Sequence, residues 1–73
     1  MKRYTIIYEQ SSTGYGAYVP DLPGLGVVGD TMEEVRRLIH EGIPLHLESL
    51  RKHGEPIPEP TTNAEQFEVA ISA

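Results

Sequence analysis

The sequence predicts a two-layer α+β domain in the order β-β-β-α-β: an antiparallel three-stranded sheet with a fourth strand beside the first, and one helix packed on the sheet. Three observations carry that reading. β-Branched and aromatic residues cluster ahead of Pro20. A capped amphipathic run follows Gly29. Large apolar residues alternate with small or charged ones at Phe67, Val69 and Ile71.

Residues 3–9 read RYTIIYE, a strand composition, and the Gln10, Ser11, Ser12, Thr13, Gly14 cluster supplies the turn residues that end it. Residues 15–19 form the return strand, stopped by Pro20 and Pro23, which have no backbone donor for a ladder. A third short strand, residues 25–28, follows the Pro20-Asp21-Leu22-Pro23-Gly24 corner.

Thr31 and Glu34 match a capping box, and Asp30 precedes them as a cap or dipole partner. A helix is therefore expected over residues 32–53. At 100° per residue, Val35, Leu38, Ile39, Gly42, Ile43, Leu45, His46, Leu47 and Leu50 share one broad arc, with Glu33, Glu34, Arg37, His40, Glu41, Glu48, Arg51 and Lys52 opposite. Pro44 lies mid-way round the polar arc, where it removes the bond to His40 and predicts a bend away from the core. Gly54 caps the end.

Pro56, Pro58 and Pro60 make the next segment a stiff extended connector. Residues 67–71 then alternate as a strand with one buried face. Because a helix separates the third and fourth strands, the last strand can lie beside the first and parallel to it.

Seventy-three residues make one domain, residues 1–73, whose core is small enough to favour self-association. The absence of cysteine removes disulfides, thiolate nucleophiles and Cys-based zinc sites. Six basic against eleven acidic residues give a net charge of -5, which opposes direct binding to nucleic acid. Glu55, Glu59, Glu65 and Glu68 have no Lys or Arg among them, an acidic surface that suits a basic partner. The apolar run after Lys2 and Arg3 is far too short for a signal peptide, and no stretch approaches a membrane span. A soluble cytoplasmic protein is the expectation.

Gly24, Gly26 and Gly29 spell G-x-G-x-x-G, but two prolines precede them and the helix cap comes after them, so they read as a glycine-rich edge strand. His40, His46 and His53 diverge on the helical wheel, so no pair shares a face and no metal site is expected. Asp30 and Glu34 are accounted for by capping and Asp21 by a turn, which leaves no catalytic constellation and no cofactor. The tyrosines say more. Tyr4, Tyr8, Tyr15 and Tyr18 lie on the first two strands, and the first strand is apolar on both faces while one helix covers only one side. Tyr4, Tyr8 and Tyr18, on an open face, and Glu55, Glu59 and Glu65 are the expected partner contacts, for a homodimer, a higher homo-oligomer or another protein.

The run Tyr15-x-Ala17-x-Val19-Pro20-Asp21-Leu22-Pro23-Gly24, then Gly29-Asp30-Thr31-x-Glu33-Glu34, the amphipathic helix, and the proline-alternating segment from Gly54 to Pro60 resemble the HicB-like antitoxin family of toxin-antitoxin systems. The resemblance covers most of the chain. It implies a partial RNase H-like domain without nuclease activity that masks a small basic RNA-cleaving toxin, a HicA-like protein. Many family members carry a further DNA-binding segment; this sequence ends at Ala73, so DNA binding is not carried over. Pro44 and Gly42 stand where relatives have better helix formers, which sets the helix apart from the family pattern. Two other functions stay open at this point: a homo-oligomeric structural or small-ligand-binding protein without a toxin, and a vestigial nuclease.

Overall fold

The first hairpin pairs β1 (Ile7–Ser11) with β2 (Gly14–Tyr18), in a computed structural model that describes residues 1–72. Pairing runs from Ile7 opposite Tyr18 to Ser11 opposite Gly14, so only Ser12 and Thr13 form the loop. Strand β1 thus starts four residues later than its composition suggests and continues into the expected turn. The reason lies in its partner. β2 ends at Tyr18, so residues 3–6 have no neighbouring strand to pair with, while Ser11 accepts from the Thr13 N–H and fastens the tight loop.

β3 (Gly26–Gly29) pairs antiparallel with β2, giving the sheet order β1-β2-β3. Strand alternation sorts the side chains. Tyr8, Ala17 and Val27 lie level on the face covered by the helix, and Gln10, Tyr15 and Gly29 follow them. Ile7, Tyr18 and Gly26, then Glu9, Gly16 and Val28, lie on the open face.

Two consecutive turns connect β2 to β3. The Leu22 N–H donates to the Val19 carbonyl at 3.0 Å and the Leu25 N–H to the Leu22 carbonyl at 3.2 Å. Pro20 and Pro23 each take the second position of a turn, which their fixed φ suits. Gly24, at φ +88°, takes the third position of the second turn, as a type II geometry requires. The outcome is that Leu22, between the turns, is wholly buried.

The helix, α1 (Met32–Lys52), is capped as the sequence indicates: the Thr31 hydroxyl accepts from the Glu34 N–H at 3.1 Å. Asp30 is exposed and is not the cap. At the other end the Gly54 N–H donates to the Arg51 carbonyl and the Glu55 N–H to the Leu50 carbonyl, a Schellman motif with Gly54 at φ +68°. The helix continues through Pro44, which is exposed. Its buried stripe is narrower than the wheel suggests. Val35, Ile39, Ile43 and Leu47, four residues apart, pack with Ala17, Val19 and Leu22 of the core, whereas Leu45 is 71% exposed, because three strands do not reach that flank. Gly42 has a packing role: a Cβ there would lie 3.3 Å from Leu25 Cδ1, so the bare backbone gives Leu25 its seat.

The expected fourth strand does not form. Residues 67–71 pair with no strand, and Phe67, Val69 and Ile71 are 85%, 62% and 82% exposed. What runs beside the first strand's N-terminal extension is the proline segment, tied by side chains rather than by a ladder because Pro58 and Pro60 lack donors. The ties also set the register. Lys2 meets Glu59 and Thr5 meets Thr62, both 57 residues apart, so the two segments advance in parallel. At that separation Phe67 comes level with Gln10, next to the last residue of β1, and Val69 and Ile71 fall beyond its end, level with Ser12 and Gly14. The tail projects instead, and the radius of gyration is 14.8 Å where a compact chain of this length has about 11 Å.

Candidate partner interface

The side chains nominated as partner contacts fall into two groups, and the returning segment joins them. Tyr4 is half-buried against the core, and its hydroxyl donates to the Pro58 carbonyl at 2.6 Å. Tyr8 is half-buried on the helix-covered face, its ring under the Arg36 guanidinium at 5.4 Å. Tyr15 shares that face, so of the four tyrosines only Tyr18 stands on the open side of the sheet, 40% exposed. Around Tyr18 the open face carries Ile7, Glu9 and Val28 over the bare backbone of Gly16 and Gly26. Val28 is 80% exposed there.

The acidic residues are arranged differently. Glu55 follows the helix cap, and Glu65 lies on the projecting tail; both are exposed. Glu59 accepts from Lys2 Nζ at 2.6 Å, and that bond raises the Lys2 ammonium above its ordinary value. Such a pair at the surface adds little stability and gives way readily to a better partner.

Asp21 holds the return segment in place. Its carboxylate accepts the Thr61 and Thr62 N–H groups at 3.1 and 2.9 Å and both threonine hydroxyls at 3.1 and 2.9 Å. The Thr62 N–H bond is the main reason the carboxyl titrates below its ordinary value, with the remaining threonine donors adding to it. Sequence reasoning assigned Asp21 to the turn alone. The corner between two prolines does position it, but nothing local in the sequence announces a partner some forty residues away. Tyr4 and Thr5 complete the clasp, Thr5 by donating its hydroxyl to the Thr62 carbonyl at 2.9 Å.

Among the described residues no three His, Asp or Glu side chains converge as a metal site would require. His46 is half-buried, whereas His40 and His53 are exposed and bond the Arg36 and Ser49 carbonyls of their own helix. The glycine motif is divided between a turn and β3, with the helix starting only at Met32, so it forms no phosphate cradle at a helix end. Gly29 has another reason to lack a side chain: a Cβ there would lie 2.8 Å from Glu34 Oε1 and 3.1 Å from Val35 Cγ2. No helix among the described residues is long and apolar enough to cross a membrane.

The surface can engage a protein through an apolar, side-chain-poor sheet face and a separate acidic strip. The cations are largely spoken for: Lys2 by Glu59, Arg37 by Glu41, Arg51 by Glu48 and Arg36 by Tyr8.

Known proteins resemble this chain along most of its length. A profile described as HicB_like antitoxin of bacterial toxin-antitoxin system matches residues 4–70. A UPF0150 protein of Thermoplasma acidophilum is 41% identical over 68 residues, covering 92% of this chain and 96% of that protein. A UPF0150 protein of Thermotoga maritima is 44% identical over 43 residues, 59% of this chain and 57% of its own length. A protein named Antitoxin HicB 2, from Photorhabdus laumondii, is 29% identical over 65 residues, 89% of this chain but 47% of its own length. No solved structure matches.

Proposed function

Since the chain belongs to the HicB-like antitoxin family of bacterial toxin-antitoxin systems, we propose that it binds a small basic RNA-cleaving toxin of the HicA-like kind and covers the surface with which that toxin holds RNA. Family membership implies an antitoxin role and points to a non-enzymatic one. The observation that carries the finer reading is the charge arrangement beside that match. Glu55, Glu65 and Glu68 are exposed on a stretch with no Lys or Arg after Lys52, while four of the six cations are engaged within the chain.

A toxin's RNA-binding face must be positive to hold phosphate, and masking it with carboxylates is the direct means of inhibition. Glu55, Glu59 and Glu65 steer the encounter, Glu59 by releasing Lys2. Tyr18 supplies the exposed apolar anchor, and Tyr4 and Tyr8 hold the adjoining edge through Pro58 and Arg36. Opposite charge governs association more than dissociation, so added salt slows binding and leaves release nearly unchanged.

The test is the association rate with a small basic toxin of the HicA-like kind. The variant carrying Glu55→Lys, Glu59→Lys and Glu65→Lys is expected to associate at least about tenfold more slowly at low salt. Equal rates for parent and variant would refute the acidic strip as the contact.

A further inference from the structure

We propose that residues 67–71 form an arm that pairs antiparallel with the same arm of a second copy of this chain, about a two-fold axis at Val69. The proposal does not depend on the toxin reading.

The first support is that the arm has strand character and no strand to join. Phe67, Val69 and Ile71 alternate with Glu68 and Ala70, and the three large side chains are 85%, 62% and 82% exposed. The clasp keeps the arm from β1 of its own molecule: the separation of 57 residues set by Lys2–Glu59 and Thr5–Thr62 carries Val69 level with Ser12, in the hairpin loop. Completing the sheet within one chain would bring residues 64–68 alongside β1, a mostly polar stretch with one large apolar residue.

The second support is self-complementarity, which selects another copy of this chain as the occupant. With Val69 opposite Val69 of the partner subunit, Phe67 falls opposite the partner's Ile71 and Glu68 opposite the partner's Ala70. All three large apolar residues then meet large apolar residues on one side of the ribbon, and no carboxylate faces another. Moving the axis to Glu68 would set two carboxylates against each other, which costs stability. Moving it to Ala70 would leave Phe67 opposite Ala73. A two-fold contact of this kind closes on itself and stops at a dimer. A two-stranded ribbon alone is marginal in water, so the paired arms are expected to hold only at micromolar concentrations and above.

Because the chain has no cysteine, an introduced one reports only on its own neighbours. Residues directly opposite in an antiparallel pair have Cβ atoms about 4.5–5.5 Å apart, near disulfide reach, whereas diagonal ones are about 7–8 Å apart. The full-length Val69→Cys variant is therefore expected to form a covalent dimer under mild oxidation at least about tenfold faster than Glu68→Cys. Light scattering of the parent is expected to give a dimer between about 10 and 100 μM, and the variant with Phe67, Val69 and Ile71 all changed to Glu a monomer with an unchanged far-UV spectrum. A parent that stays monomeric over that range would overturn the proposal. So would a dimer that persists in the triple variant, or crosslinking that is as fast from Glu68→Cys as from Val69→Cys.

Discussion

Asp21 and Thr62 stand 41 residues apart in sequence, yet the Asp21 carboxylate takes both the Thr62 N–H and the Thr62 hydroxyl at 2.9 Å. The corner between β2 and β3 is thereby fastened to the chain that leaves the helix. With Tyr4 on Pro58 and Thr5 on Thr62, this contact decides where the acidic segment runs.

The clasp has a signed dependence on pH. The folded-state pKa of Asp21 is lowered from its ordinary value of 3.8, so the stability it lends is complete above that value and is lost as pH falls through the lower folded one. The amide proton shifts of Thr61 and Thr62 are expected to move together with an inflection below 3.8, and to lose that step in Asp21→Asn. A shared inflection at or above 3.8 would count against the clasp.

Capping belongs to Thr31 rather than to its acidic neighbour. Thr31→Ala is expected to lower unfolding free energy by about 1 kcal/mol, since it removes the acceptor for the Glu34 N–H. Asp30→Asn, at an exposed position outside the cap bond, is expected to cost less. Urea unfolding of both variants checks the order, with an unchanged slope confirming that only stability moved.

Leu22 is the heaviest single anchor in the corner. It is wholly buried between two turns, so Leu22→Ala is expected to cost about 2–5 kcal/mol, a large share of what a chain this small possesses. Thermal unfolding followed by circular dichroism measures it. A loss under about 1 kcal/mol would mean that the corner collapses freely around the gap.

Local signals were legible in this sequence and long-range ones were not. Thr31, Glu34 and Gly54 announce the helix ends because caps act within a few residues, and Pro20, Pro23 and Gly24 announce the corner for the same reason. The alternation at Phe67, Val69 and Ile71 reads as a strand, yet these residues pair with no strand of the sheet. Whether a strand pairs, however, depends on register against a neighbour, and the side-chain ties at Lys2 and Thr5 that fix this register leave no periodic trace. The tyrosines illustrate the same limit: alternation separates two faces, but which face the helix covers follows from packing of Tyr8 and Ala17 against Val35 and Ile39. The resemblance carried by the PDLPG and GDTxEE runs supplied what local chemistry did not, the kind of partner.

Inhibition is the most direct readout of that partnership. RNA cleavage by a small basic toxin of the HicA-like kind is to be measured while this chain is added in increments. The expected result is loss of cleavage that completes at a fixed molar ratio at low salt, with the Glu55, Glu59 and Glu65 charge-reversal variant needing longer preincubation to reach it. Cleavage that continues undiminished with the folded chain in excess would contradict the antitoxin function proposed here.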